Sequence, residues 1–304
     1  MKKLLLLLFL CGISQLLRAQ KVEKFTISSS SEEGYLAVFP ETPAQAMLVL
    51  VGSYGESPEE VLKNTAIPSE AAKNGILTII PVFSTGATSI GFDVETQESF
   101  QKIIAFALKK HQLQEMPFFA GGFSIGGTAV IKYAELAQQQ QYLPTAVFAV
   151  DPPLDMQRLY ESAKRDIRLS LKTEPSQESR FLVQKLEQEM GGSPQQVPQN
   201  YYQASPYSFE DSTQTAVKKL IDLPLRIYTE PDLEFYLSKG MDLYAMNAFD
   251  ASAFINELNR LGNNKASLII SQNKGFREPQ HVRNPHSWSL VDPGELVEWL
   301  LQQM

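Results

Sequence analysis

Cysteine is almost absent. Cys11 is the single one in 304 residues and lies near the N-terminus. If the chain is cut after Ala19, as its leader suggests, none remains, which excludes disulfide cross-links and a thiol nucleophile. Histidine is nearly as scarce: His111, His281 and His286 are the full set. They show no paired-ligand spacing, so no metal centre is expected, and no cofactor motif is present. Positive charge is in deficit, 27 Lys and Arg against 34 Asp and Glu, and the net charge of −7 argues against a nucleic-acid partner because no basic field draws in a phosphate backbone. Long apolar runs are missing too. The stretch 4–13 is too short to cross a bilayer comfortably, so no stable membrane span is expected after processing.

That stretch makes sense as a leader. Met1-Lys2-Lys3 is a positive start, Leu4 to Leu10 an apolar centre, and Leu17-Arg18-Ala19 puts a small residue before a cleavage point. Residues 1–19 are therefore expected to be an export signal, and 20–304 a mature domain in the periplasm or outside the cell. Lipid attachment at Cys11 is disfavoured because bulky Leu10 stands where a small residue is usual. The mature part, from a chain with 43% hydrophobic and 10% aromatic residues, is long enough to bury one large core. It has no repeats and no separating linker; its oligomeric state is not legible.

Short β-branched and aromatic runs alternate with longer helical patterns, as in an α/β sheet of mostly parallel strands. Strands are expected over 22–28, 35–39, 47–51, 77–82, 117–123, 145–150, 223–228 and 266–271. Helical spacing fills 59–73, interrupted at Pro68, then 96–110, 127–138, 241–261 and 294–303. The stretch 151–221, rich in Gln, Glu, Ser and Lys with helical spacing in 158–171 and 179–190, breaks the alternation and reads as a helical cap inserted between the sixth and seventh strands.

The chemistry centres on Ala120-Gly121-Gly122-Phe123-Ser124-Ile125-Gly126-Gly127-Thr128, a Gly-x-Ser-x-Gly pattern where an apolar strand meets a helix. A serine in so tight a turn needs neighbours without side chains two residues away on either side, and Gly122 and Gly126 supply them. A nucleotide-binding turn would instead show Gly-x-Gly-x-x-Gly, or a Lys after the second glycine. In order of strands, elbow and insertion point, nearly the whole mature chain resembles the α/β-hydrolase family. The resemblance implies an eight-stranded, mostly parallel α/β-hydrolase sheet with helices on both faces, and Ser124 as nucleophile. It also implies an oxyanion loop at Val51-Gly52-Ser53-Tyr54-Gly55-Glu56-Ser57, where the Tyr54 amide would join that of Ile125 as donor. Gly52-Ser53 departs from the His-Gly that often opens this loop.

A serine needs a base, and the family order of serine, acid, histidine removes His111, which closes the helix before the elbow strand. His281 and His286 share the late loop; His286 is preferred, being nearer the final helix with Trp288 to pack the loop. The acid is expected after the seventh strand, at Asp232 in Thr229-Glu230-Pro231-Asp232, with Glu230 as the local rival and Asp151 before Pro152-Pro153 as the less common alternative. The expected activity is hydrolysis of an ester or related acyl bond in a small-molecule substrate. Acyl transfer and peptide cleavage on the same fold, or a noncatalytic exported binding protein, remain alternatives. Tyr201, Tyr202, Tyr207 and Phe209 are candidate pocket walls, or else the cap's own core.

Overall fold

The computed structural model describes residues 20–29, 32–138, 142–170 and 177–304. The leader expected at 1–19, with Cys11, lies outside the described residues. A hairpin of β1 (Val22–Thr26) and β2 (Gly34–Val38) opens a sheet continued by β3 (Ala46–Val51), β4 (Ile76–Val82), β5 (Phe118–Phe123), β6 (Ala146–Val150), β7 (Leu225–Thr229) and β8 (Ala266–Ile270). The spatial order is β1-β2-β4-β3-β5-β6-β7-β8. β2 runs antiparallel to both β1 and β4, and every later pairing is parallel. The eight strands expected from the apolar runs are therefore the eight of this sheet.

Near-continuous apolar strands follow from burial on both faces. In β3, Met47, Val49 and Val51 enter one core while Leu48 and Leu50 enter the other, the period of two that a pleated strand imposes. The first core is closed by α3 (Val94–Lys110), α4 (Ile125–Ala137) and α10 (Asn247–Arg260), the second by α1 (Pro58–Asn64), α2 (Ile67–Lys73) and α11 (Pro293–Leu301). Two expected helices are divided. The stretch 59–73 breaks at Thr65-Ala66, because Pro68 sits in the first turn of α2, where its missing N–H removes no helical bond. The stretch 241–261 becomes a 3-10 turn, Leu243–Ala245, followed by α10.

Between β6 and β7 the insertion forms α5 (Met156–Leu169), α6 (Gln177–Met190), α7 (Pro198–Ala204) and α8 (Thr215–Lys218). The first two answer the helical spacing in the sequence; the last two are too short to leave such a pattern. Met156, Tyr160, Leu186, Met190 and Tyr201 form a third apolar cluster with Ile90 and Phe92 of the sheet domain, and Ile125 packs against it. The insertion thus docks on the start of α4.

A buried ion pair joins insertion to core. Arg158 of α5 donates through Nε and Nη2 to Asp250 of α10, and Asp250 also accepts the amides of Leu154 (3.1 Å) and Asp155 (3.2 Å). Asp155 caps α5 by accepting the Arg158 amide and also takes that of Phe209. Burial pushes its carboxyl up to about 6, against the pull of those two amides.

Candidate active site

Ser124 occupies the turn between β5 and α4 with φ 55° and ψ −125°, backbone angles that residues with side chains rarely take. The turn closes because both flanking positions are glycine. A Cβ on Gly122 would lie 2.3 Å from the Gly126 backbone, and one on Gly126 would lie 2.2 Å from the Gly52 carbonyl oxygen. The Ser124 amide donates to Val150 O at 2.8 Å, which ties the elbow to the end of the neighbouring strand β6.

His286 meets this serine: its Nε2 lies 2.9 Å from Ser124 Oγ, and its Nδ1 2.6 Å from Asp151 Oδ2. An ionised carboxylate only accepts, so Nδ1 carries the proton and Nε2 offers its lone pair to the serine hydroxyl. The imidazole is held from two sides. Asn284 Oδ1 accepts the His286 amide at 2.9 Å, and the ring packs 4.6 Å from Phe123, which in turn lies 5.3 Å from Trp288. The loop carrying His286 is shaped by a small hairpin, β9 (Phe276–Arg277) with β10 (Val282–Arg283), too short to be seen as sequence pattern.

The expected acid, Asp232, is not at the imidazole, and this assignment is corrected. Asp232 is the N-cap of α9 (Leu233–Ser238), accepting the Phe235 amide at 3.0 Å, and it pairs with Arg283. The Phe235 amide, with Arg283 assisting, holds its carboxyl below the ordinary range. Its rival Glu230 is also committed, to the amides of Asn273, Lys274 and Gly275 and to Arg283. The carboxylate facing His286 is Asp151, the first residue beyond β6. It is 3% exposed, with φ 45°, an angle Asp tolerates better than most residues. Its amide donates to Tyr228 O at 2.7 Å, its Oδ1 accepts Thr229 Oγ1 at 2.6 Å, and its carbonyl accepts Asn247 Nδ2 at 2.9 Å. With Oδ1 held by Thr229, Oδ2 is left to the imidazole.

His281 is elsewhere: its largely exposed ring stacks on Phe276 and meets Glu278. His111 closes α3, bonded to Tyr35 Oη at 2.8 Å, and burial lowers its pKa.

Three of the four loop amides from Ser53 to Glu56 are committed. Ser53 donates to Glu56 Oε2 (2.9 Å), Gly55 to Ala87 O (2.8 Å) and Glu56 to Ser53 O (3.1 Å). Among the described residues the Tyr54 amide has no such acceptor, and the Ile125 amide, first of α4, is one that no helical carbonyl takes. These two amides are therefore uncommitted among the described residues. The Tyr54 ring rests 5.2 Å from Phe181 of the insertion, and both rings are partly exposed. Of the expected pocket walls, Tyr201 and Tyr207 are buried as core, and Phe209 packs on Phe249. Tyr202 lines a separate groove against α3 and α4.

No family model matches the sequence, and no curated protein matches it. Solved structures do. An acylaminoacyl peptidase from Pyrococcus horikoshii superposes with TM-score 0.58 at 15% identity, over 95% of this chain and 41% of that one. The chain thus spans less than half of the peptidase. A putative esterase from Staphylococcus aureus gives TM-score 0.55 at 11% identity, over 95% of this chain and 83% of that one. Carboxyl esterase 2 from the mycorrhizal fungus Tuber melanosporum gives 0.58 at 13%, over 94% and 85%. Together with the strand order and the elbow, these likenesses make the fold that of the α/β hydrolases.

Proposed function

We propose that this protein is an exported serine hydrolase that cleaves an ester or related acyl bond in a small-molecule substrate. The observation that carries the reading is the unbroken chain from Ser124 Oγ through His286 to Asp151, at 2.9 Å and 2.6 Å. Ser124 attacks the acyl carbon as His286 Nε2 takes its proton, and the carbonyl oxygen gains a negative charge stabilised by the Tyr54 and Ile125 amides. Collapse breaks the bond to the leaving group, which receives the proton from His286. Water, deprotonated by the same nitrogen, then attacks the acyl-enzyme, releases the acid and restores the serine. Asp151 keeps the imidazole in the productive tautomer and stabilises its charged form without taking the proton. The partly exposed pair Tyr54 and Phe181 supports an apolar substrate contact where the loop meets the insertion.

The test is reaction of the purified, folded protein with a fluorophosphonate, followed by peptide mass mapping. One phosphonyl group is expected, on Ser124; no adduct, or an adduct elsewhere, overturns the reading. Turnover of p-nitrophenyl esters of increasing chain length, set beside peptide and acyl-transfer substrates, then separates esterase from peptidase and transferase. Export rests on the leader at 1–19. A mature chain starting at Gln20, read by intact mass on protein recovered from outside the cytoplasm, is the expected result; an uncut chain inside the cell sinks the proposal.

A further inference from the structure

We infer that Glu56 is a positioning residue that locks the oxyanion loop to the loop carrying the histidine, an inference that rests on the hydrolase reading above. Its half-buried carboxylate gathers three groups from separate parts of the chain. Oε2 accepts the Ser53 amide at 2.9 Å, Oε1 accepts Asn64 Nδ2 of α1 at 2.7 Å, and both oxygens lie 3.2 Å from Nε1 of Trp288. Trp288 follows His286 by two residues, is 4% exposed, and reaches the imidazole through Phe123. A buried indole N–H needs an acceptor, and Glu56 is the acceptor it has.

Two consequences follow for the reaction. By taking the Ser53 amide, Glu56 removes that donor from the loop, while among the described residues the neighbouring Tyr54 amide keeps no acceptor, so this carboxylate narrows the choice of donor for the oxyanion. It also fixes the loop's distance from the nucleophile. On one side of Gly52, a Cβ would fall 2.9 Å from Val61 Cγ2 and 3.1 Å from Glu56 Oε2; on the other, the Gly52 carbonyl abuts Gly126 at the start of α4. The loop is clamped between them. Since Trp288 hangs from the same carboxylate, the oxyanion donor and the general base are referenced to one fixed point. Misplacing a donor by about 1 Å is enough to cost a hundredfold in rate, so such a reference has kinetic weight without touching substrate.

The experiment compares wild type with Glu56→Ala, Glu56→Gln, Trp288→Phe and the double variant Glu56→Ala/Trp288→Phe. It reads kcat and KM for p-nitrophenyl acetate, the fluorophosphonate labelling rate, and Tm. Glu56→Ala is expected to lower kcat and labelling about 30- to 100-fold with KM changed less than about threefold, because the group lost acts on the transition state. Glu56→Gln, whose amide oxygen still accepts one N–H, should recover to within about tenfold of wild type. The double variant should match Glu56→Ala within about twofold, since both substitutions cut the same connection. A folded Glu56→Ala with kcat within about threefold of wild type, or a double variant whose losses multiply, overturns the inference. If Glu56→Ala does not fold, Glu56→Gln and Trp288→Phe decide: each must lower kcat with KM nearly unchanged, and a loss of Tm alone overturns it. A wild type that takes no label defeats the hydrolase reading and this inference together. Labelled wild type with unaltered variants defeats only the inference.

Discussion

Asp151→Asn is expected to lower kcat for ester hydrolysis about 10⁴-fold, while Asp232→Asn stays within about threefold of wild type. The reason lies in which atoms each carboxylate serves. Thr229 Oγ1 donates to Asp151 Oδ1, so an asparagine there would keep its oxygen toward Thr229 and turn its NH₂ toward His286 Nδ1. That NH₂ is a donor, and it would force the imidazole proton onto Nε2, where the ring can no longer accept the serine hydroxyl. Geometry would survive and catalysis would not. Asp232→Asn, by contrast, keeps a good N-cap for α9 and loses charge only against Arg283, which Glu230 also holds. Its effect should be a cost of about 1 kcal/mol in stability. Steady-state kinetics of the two variants, with circular dichroism to show that each is folded, decides the matter. Equal losses, or a larger loss at position 232, would mean that the array in the structure is not the one that works.

The contrast between these two aspartates also marks where sequence reasoning stops. Ser124 was legible because its constraints are local: a strand end, a helix start and two glycines whose side chains would strike backbone. His286 was nearly as legible, being one of two histidines in a single late loop and the one nearer the final helix; what separates them in space, the stacking of His281 on Phe276 against the contacts of His286 with Phe123, Ser124 and Asp151, is not a spacing. The acid depended on contacts between strands distant in sequence. Asp151 lies beside Ser124 because β6 pairs with β5 and the Ser124 amide bonds Val150 O. What fills the position after β7 is a cluster of Glu230, Asp232 and Arg283 that braces the histidine loop instead. Thr229, which orients Asp151, and Glu56, which joins two loops across 232 positions of chain, carried no local signal at all. The sheet was easier for the opposite reason: double burial writes itself into each strand as a run of apolar residues.

Arg158→Met alone, or Asp250→Ala alone, should destabilise the protein by about 3–5 kcal/mol, whereas Arg158→Met with Asp250→Leu should lose clearly less than the sum of the two. Both side chains are nearly excluded from water, at 3% and 0% exposed, so removing either strands its partner's charge inside the protein. Asp250→Ala should be the worse of the two, because the amides of Leu154 and Asp155 lose their acceptor as well. Replacing both residues removes the charges together and leaves those two amides, and the Tyr244 carbonyl to which Arg158 Nη1 donates, to be satisfied. For a domain of this size the single losses correspond to a fall in Tm on the order of 10 °C, measurable by thermal unfolding at fixed pH. An activity effect should accompany the stability effect, since Asp250 anchors the segment Leu154-Asp155 only three residues beyond Asp151. Asn247, on the same helix α10, holds the Asp151 carbonyl. Loosening α10 from α5 therefore loosens Asp151 along with the insertion. Below the lowered Tm, Asp250→Ala should show a reduced kcat, and Arg158→Met, which leaves both amide bonds in place, should keep more of it. Unchanged kcat in folded Asp250→Ala would show that Thr229, Tyr228 and Asn247 fix Asp151 without the Asp250 anchor, and a Tm within about 3 °C of wild type in both single variants would show that the pair contributes nothing to holding the insertion.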